Sequence, residues 1–183
     1  MSEELIISQC APTLAGLKTG NIFNCSCNRR KGLYECISQM NNRLSEKGLR
    51  FIPLKIYGSR AMIYVYRPDR LKKDLEDEDA AAILKSLGYT CRDMHKCINR
   101  LRERLKGRKD FPHEIGLFLG YPPEDVKGFI ENGATGHKLS GYWKVYGDVK
   151  KALKTFALYK KCTRVYLNRC ACGVSVERLA VAG

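Results

Sequence analysis

Phe51–Arg67, FIPLKIYGSRAMIYVYR, is the segment that separates this chain from an all-helical one. β-Branched and aromatic residues fill both halves, and Gly58-Ser59-Arg60 is a connection short enough for a hairpin. Pro53 cannot donate to a ladder, so it prefers a sheet edge or the start of the first strand. Working outward, amphipathic helices surround this hairpin. Leu33, Cys36, Ile37, Met40 and Leu44 make one apolar stripe within residues 28–47, and Gly48 suits a left-handed C-terminal cap. Asp69 and Asp77 are candidate caps for two helices after the hairpin, the second ending at Gly88-Tyr89. Residues 92–106 form another helix, with Met94, Cys97, Ile98, Leu101 and Leu105 on one face and Arg92, Lys96, Arg100 and Arg104 on another. The run 106–110 reads as an exposed turn.

At the start, Leu5–Gln9 reads as a short strand, and Pro12 as the first turn of a helix that ends at Gly20-Asn21. Toward the end, His137–Tyr146 reads as a strand and Gly147-Asp148 caps a long helix reaching about Arg169. Gly173 closes that helix, and residues 174–181 hold a short final one. The class is therefore α+β: amphipathic helices packed around a small, mostly antiparallel sheet, expected as one domain over residues 1–183.

The 183 residues are 44% hydrophobic and 28% charged, an ordinary soluble composition. No apolar run is long enough to span a bilayer, and the acidic start MSEELIISQC is unlike a secretory signal, so the expectation is a cytoplasmic protein without membrane association. Nine cysteines, an odd number, fit free thiols in a reducing compartment. Cys25/Cys27 and Cys170/Cys172 have one intervening residue where structural zinc sites use two to four, so no metal is expected. Absence of a glycine-rich fingerprint or axial-ligand spacing argues against a cofactor. A net charge of +14 favours an anionic ligand or nucleic acid, although it is spread evenly as +5, +4 and +5 over residues 1–60, 61–110 and 111–183.

Function concentrates in Phe111–Ile130, FPHEIGLFLGYPPEDVKGFI, which mixes a histidine, acids, glycines and prolines with apolar residues. Two readings of different class compete. The first is a thiol-dependent hydrolase or transferase, with Cys10 as nucleophile at a helix start, His113 as base and Glu114 or Asp148 orienting the imidazole. The plainer alternative is Cys10 in a core and His113 capping a helix. The second is a DNA-binding or other interaction protein built on a helix-turn-helix-like pair at Glu114–Ile130. There Ile115, Leu119, Val126 and Phe129 pack the two helices, Gly116 allows their close approach and Gly120 makes the turn. Glu124 and Asp125 oppose it, because they open the second helix where phosphates would approach. Tyr142, Trp143 and Tyr146 offer either a stacking platform or a sheet face packed under a helix.

The segments CAPTLAGLKTGNIF, FPHEIGLFLGYPPEDVKGFIENG, GYWKVYGD and FALYKKCTRVY resemble a bacterial family known as domain of unknown function 3793, nearly end to end. The resemblance implies a small soluble protein and supplies no mechanism. Together with position, it adds Lys18 and Tyr121 as residues lining a substrate pocket.

Overall fold

The hairpin forms as expected in the computed structural model, which describes residues 1–90, 93–106 and 111–183. Strands β2 (Arg50–Tyr57) and β3 (Arg60–Tyr66) pair antiparallel, with a register shift between Pro53 and Lys55. A third strand, β1 (Gly20–Ser26), pairs antiparallel with the other side of β3, giving the order β1-β3-β2. The proline strand is thus an edge strand. Its backbone is closed by a side chain: the Asn41 amide of α2 (Arg30–Leu44) donates to the Phe51 carbonyl at 2.9 Å and accepts from the Phe51 N–H at 2.8 Å. Free edge groups that would template another strand are used up there.

The described residues divide into two compact units, 1–70 with 159–183, and 71–158. In the first, Ala61, Ile63 and Val65 of β3 face a core that includes Phe23, Phe51, Leu33, Ile37 and Leu44. This core also takes α1 (Glu3–Leu14), a helix covering the residues expected as a strand. Ser2 caps it by accepting from the Leu5 N–H, and Glu3 and Glu4 lie in its first turn, where the dipole favours acids. Ile6, Ile7, Cys10 and Leu14 are fully buried. Burying each large apolar side chain is worth about 1.5–3 kcal/mol, enough to override the strand preference of Ile6-Ile7. Pro12 sits in the last turn rather than the first, so it costs one intrahelical bond near the end.

Arg67 fastens this unit. Its guanidinium donates to the carbonyls of Thr13 (2.7 Å) and Leu14 (2.8 Å) at the end of α1, to Lys47 (3.1 Å) and to Val181 (2.7 Å). A cation over a helix C-terminus is the arrangement the dipole favours. The short helix α9 (Val176–Leu179) is held by Arg43, which pairs with Glu177 and Glu3.

The second unit contains α4 (Glu78–Ser86), α5 (Met94–Leu105), the single turn α6 (Ile115–Phe118), α7 (Pro123–Asn132) and a two-residue hairpin, β4 (Leu139–Ser140) with β5 (Lys144–Val145). Asp77 caps α4, accepting from the N–H groups of Asp79 and Ala80. Helix α3 (Pro68–Glu76) and the long α8 (Val149–Ala171) each have residues in both units. Asp148 caps α8 through the Lys151 N–H at 3.0 Å, as the sequence indicated. The long strand expected over 137–146 breaks instead at Gly141–Trp143, where a Cβ on Gly141 would lie 2.2 Å from the Phe156 ring. Arg92 and most of the expected turn at 106–110 lie outside the described residues. The class is α+β, and no described helix is long and apolar enough to cross a membrane.

Candidate functional site

The stretch Phe111–Ile130 folds around a cavity of about 450 Å³ in the second unit. Gly116 explains how its two helical pieces meet. A Cβ there would come within 2.8 Å of Val126 and 3.1 Å of Tyr121, so α6 and α7 approach more closely than any other residue allows. Gly120 reverses the chain between them with φ of +74°. The apolar lining comes from Ile115, Leu119, Val126 and Phe129, and the aromatic wall is completed by Tyr121 and Trp143.

The rings are fixed by one another and by Tyr142 and Phe156, which are not part of the lining. Tyr121 stacks on Trp143 with centroids 4.8 Å apart, and the Tyr121 hydroxyl donates to the Tyr142 carbonyl at 3.2 Å. Trp143 meets Phe156 edge to face at 4.5 Å, and His113 meets Phe129 the same way at 4.7 Å. Such pairs orient rings as well as bury them. Asp125 is the hinge pin of the wall. One carboxylate oxygen accepts from Trp143 Nε1 at 2.6 Å, and the other accepts from the N–H groups of Tyr146 (2.7 Å) and Gly147 (2.8 Å). Three donors satisfy this buried charge and tie the β5 side of the cavity to the first turn of α7. Lys144 and the exposed His113 add polar groups to the lining.

The other residues proposed from sequence fall as follows. Cys10 is fully buried in the first unit, in the interior of α1 rather than at its start. Desolvation pushes its thiol well above the usual range, and nearby Lys18 offsets this only in part. The lowered thiol pKa expected from a helix N-terminus is therefore corrected. Position along the helix removes the dipole effect, and burial acts in the opposite direction. Lys18 is also buried, and desolvation pulls its ammonium down to about 8. Glu114 is buried in the second unit, where it pairs with Arg104 and accepts from the Tyr89 hydroxyl at 2.9 Å. Asp148 is exposed, and the Lys151 N–H it accepts holds its carboxyl below the ordinary range. Of the six, His113 and Tyr121 come together on the cavity, and Cys10 and Lys18 are neighbours in a core.

The helix pair presents Glu124, Lys127 and Glu131 to solvent, with Lys127 drawn toward Glu131 at 4.0 Å. That face is net negative and repels phosphates. The ridge on α5 is likewise spent in part, since Arg104 pairs with Glu114 and Arg100 with Glu103. No cluster of metal-ligating side chains occurs among the described residues. Sequence reasoning missed Asp125, Phe129 and Lys144 as wall residues. Asp125 was weighed only as a charge facing DNA, and Lys144 was hidden in an expected continuous strand.

A family model described as "Protein of unknown function (DUF3793)" matches residues 6–180. The chain belongs to this family. The match covers nearly the whole chain, including both units and the entire cavity wall. No curated protein matches the chain, and no solved structure matches it.

Proposed function

We propose that the second unit is a binding module for a small planar organic ligand, held in the cavity between α6, α7 and the β5 hairpin. The observation that carries this reading is the aromatic wall, pre-ordered by hydrogen bonds and ring contacts that need no ligand. Ligand sites are characteristically concave and mostly apolar, with a few placed polar groups, and fall within about 300–1,000 Å³. A cavity of about 150 Å³ suffices for benzene. The 450 Å³ here has room for a ring system with substituents. Rigid rings also reduce the ordering cost of binding.

The thiol-enzyme reading is not favoured, because a desolvated Cys10 stays protonated and unreactive. DNA binding through α7 is not favoured, because its exposed face carries two acids and one paired lysine.

The chain has a single tryptophan, so its fluorescence reports on the cavity directly. Ring-bearing fragments of about a dozen heavy atoms, at roughly 0.4 kcal/mol per atom, should quench Trp143 saturably with sub-millimolar Kd. Leu119→Phe, which narrows the cavity, should weaken that binding without lowering the melting temperature. If no fragment gives a saturable change, the pocket reading fails.

A further inference from the structure

We infer that the cavity selects an anionic aromatic ligand, an aryl carboxylate, with its acid group at Lys144; this rests on the pocket reading above. Lys144 is the one lysine or arginine among the described residues of the lining. Its ammonium donates to Ser140 Oγ at 3.0 Å and lies 3.4 Å from His137 Nε2, and neither partner is a carboxylate. No ion pair involving Lys144 occurs among the described residues, and the side chain is half-buried. The other charge on the wall is different in kind. Both oxygens of Asp125 are occupied by the three neutral N–H donors of Trp143, Tyr146 and Gly147, which hold the carboxylate in place without supplying a counter-charge. The wall thus sets a lysine with no ion pair among the described residues beside aromatic rings. A charge-assisted hydrogen bond to an aryl carboxylate supplies the missing partner and places the ring against Trp143 and Phe129.

Shape and charge make separate contributions, so they can be measured separately. The probes are 4-nitrobenzoate and its neutral isostere 4-nitrobenzamide, whose nitro groups quench Trp143. The full-length protein should bind the carboxylate at least ten times more tightly than the amide. Lys144→Met should bring that ratio to about one, and Lys144→Arg should keep a preference for the carboxylate. Added salt should shrink the preference in the wild type. If both probes bind equally to the wild type, the anion inference is overturned and the pocket reading survives. Should Lys144→Met fold, judged by its melting curve, and still prefer the carboxylate, the inference is overturned as well. Binding of neither probe would overturn both.

Discussion

Arg67→Met tests whether one buried cation closes the first unit. The guanidinium serves four backbone carbonyls: Thr13 and Leu14 through fully buried bonds, Lys47 and Val181 through partly buried ones. Methionine keeps most of the apolar stem and removes every donor. The Thr13 and Leu14 carbonyls each keep one backbone donor, the N–H of Gly16 and of Val181, so what is lost is a bond from a charged donor at about 1.5–2 kcal/mol each, while the other two carbonyls can take water at about 0.5 kcal/mol each. Against this, the variant no longer desolvates a charge, and burial already pulls the Arg67 pKa down. A net loss of about 3–4 kcal/mol follows, a large share of the 5–15 kcal/mol typical of a domain. With a urea slope of about 2 kcal/mol/M, the denaturation midpoint should fall by about 1.5–2 M. Hydrogen exchange should also speed up at Val181, whose N–H bonds to the Leu14 carbonyl at 3.0 Å beside the guanidinium. Arg67→Lys should recover only part of the loss, because a point ammonium cannot reach four spread acceptors. A midpoint shift below about 0.5 M for Arg67→Met, or full recovery with lysine, would refute the carbonyl-clasp reasoning.

Burial lowers the Lys18 pKa from its ordinary 10.5 to about 8, so between those pH values the unfolded chain carries a proton that the folded chain lacks. The Lys18 contribution to stability should therefore rise with pH across that window by up to roughly 3 kcal/mol, opposed above pH 9.0 by Cys10, whose thiol the fold keeps protonated, and the difference between wild type and Lys18→Met in urea midpoint should trace the Lys18 part. In native protein, mass-resolved alkylation at neutral pH should modify exposed Cys172 readily and leave Cys10 unmodified until denaturant is added. Fast native labelling of Cys10 would restore the thiol-enzyme reading.

The hairpin, α2, α4, the cap at Asp148 and the close approach at Gly116 were legible because each has a local cause. Periodicity, a capping carboxylate or a missing Cβ acts over a few residues. Strand β1 was not legible: GNIFNCS has few strand formers, and it becomes a strand because β3 offers it a full ladder from Gly20↔Tyr66 to Ser26↔Arg60. Ile6-Ile7 failed for the complementary reason, since a buried helix face outweighs β-branched preference. Leu153 of α8, apolar by type, stands half exposed, one position off the stripe of Ala152, Phe156 and Tyr159. For the candidate site, the chemistry of Phe111–Ile130 drew attention to a segment that lines the cavity, while Cys10, the partner chosen for it, is buried in the first unit. Residues 10 and 113 were combined by type, whereas the cavity combines residues 113, 125 and 143 by packing.

Asp125 shows why that combination is built rather than incidental. A carboxylate in the first turn of a helix ordinarily stabilises its own N-terminus. This one instead turns both oxygens outward, to Trp143 and to the backbone of Tyr146 and Gly147. An apolar residue at 125 would spare the cost of burying a charge, and a fold that needed only a core would gain by it. What such a residue could not do is fix the indole at a set height and angle above Tyr121. The buried acid is most readily understood as positioning a ring. The ring it positions faces a cavity whose lysine has no ion pair among the described residues. Asp125 ties β5 to the first turn of α7, and under the proposed reading the same bonds set the ring that a ligand would meet beside Lys144.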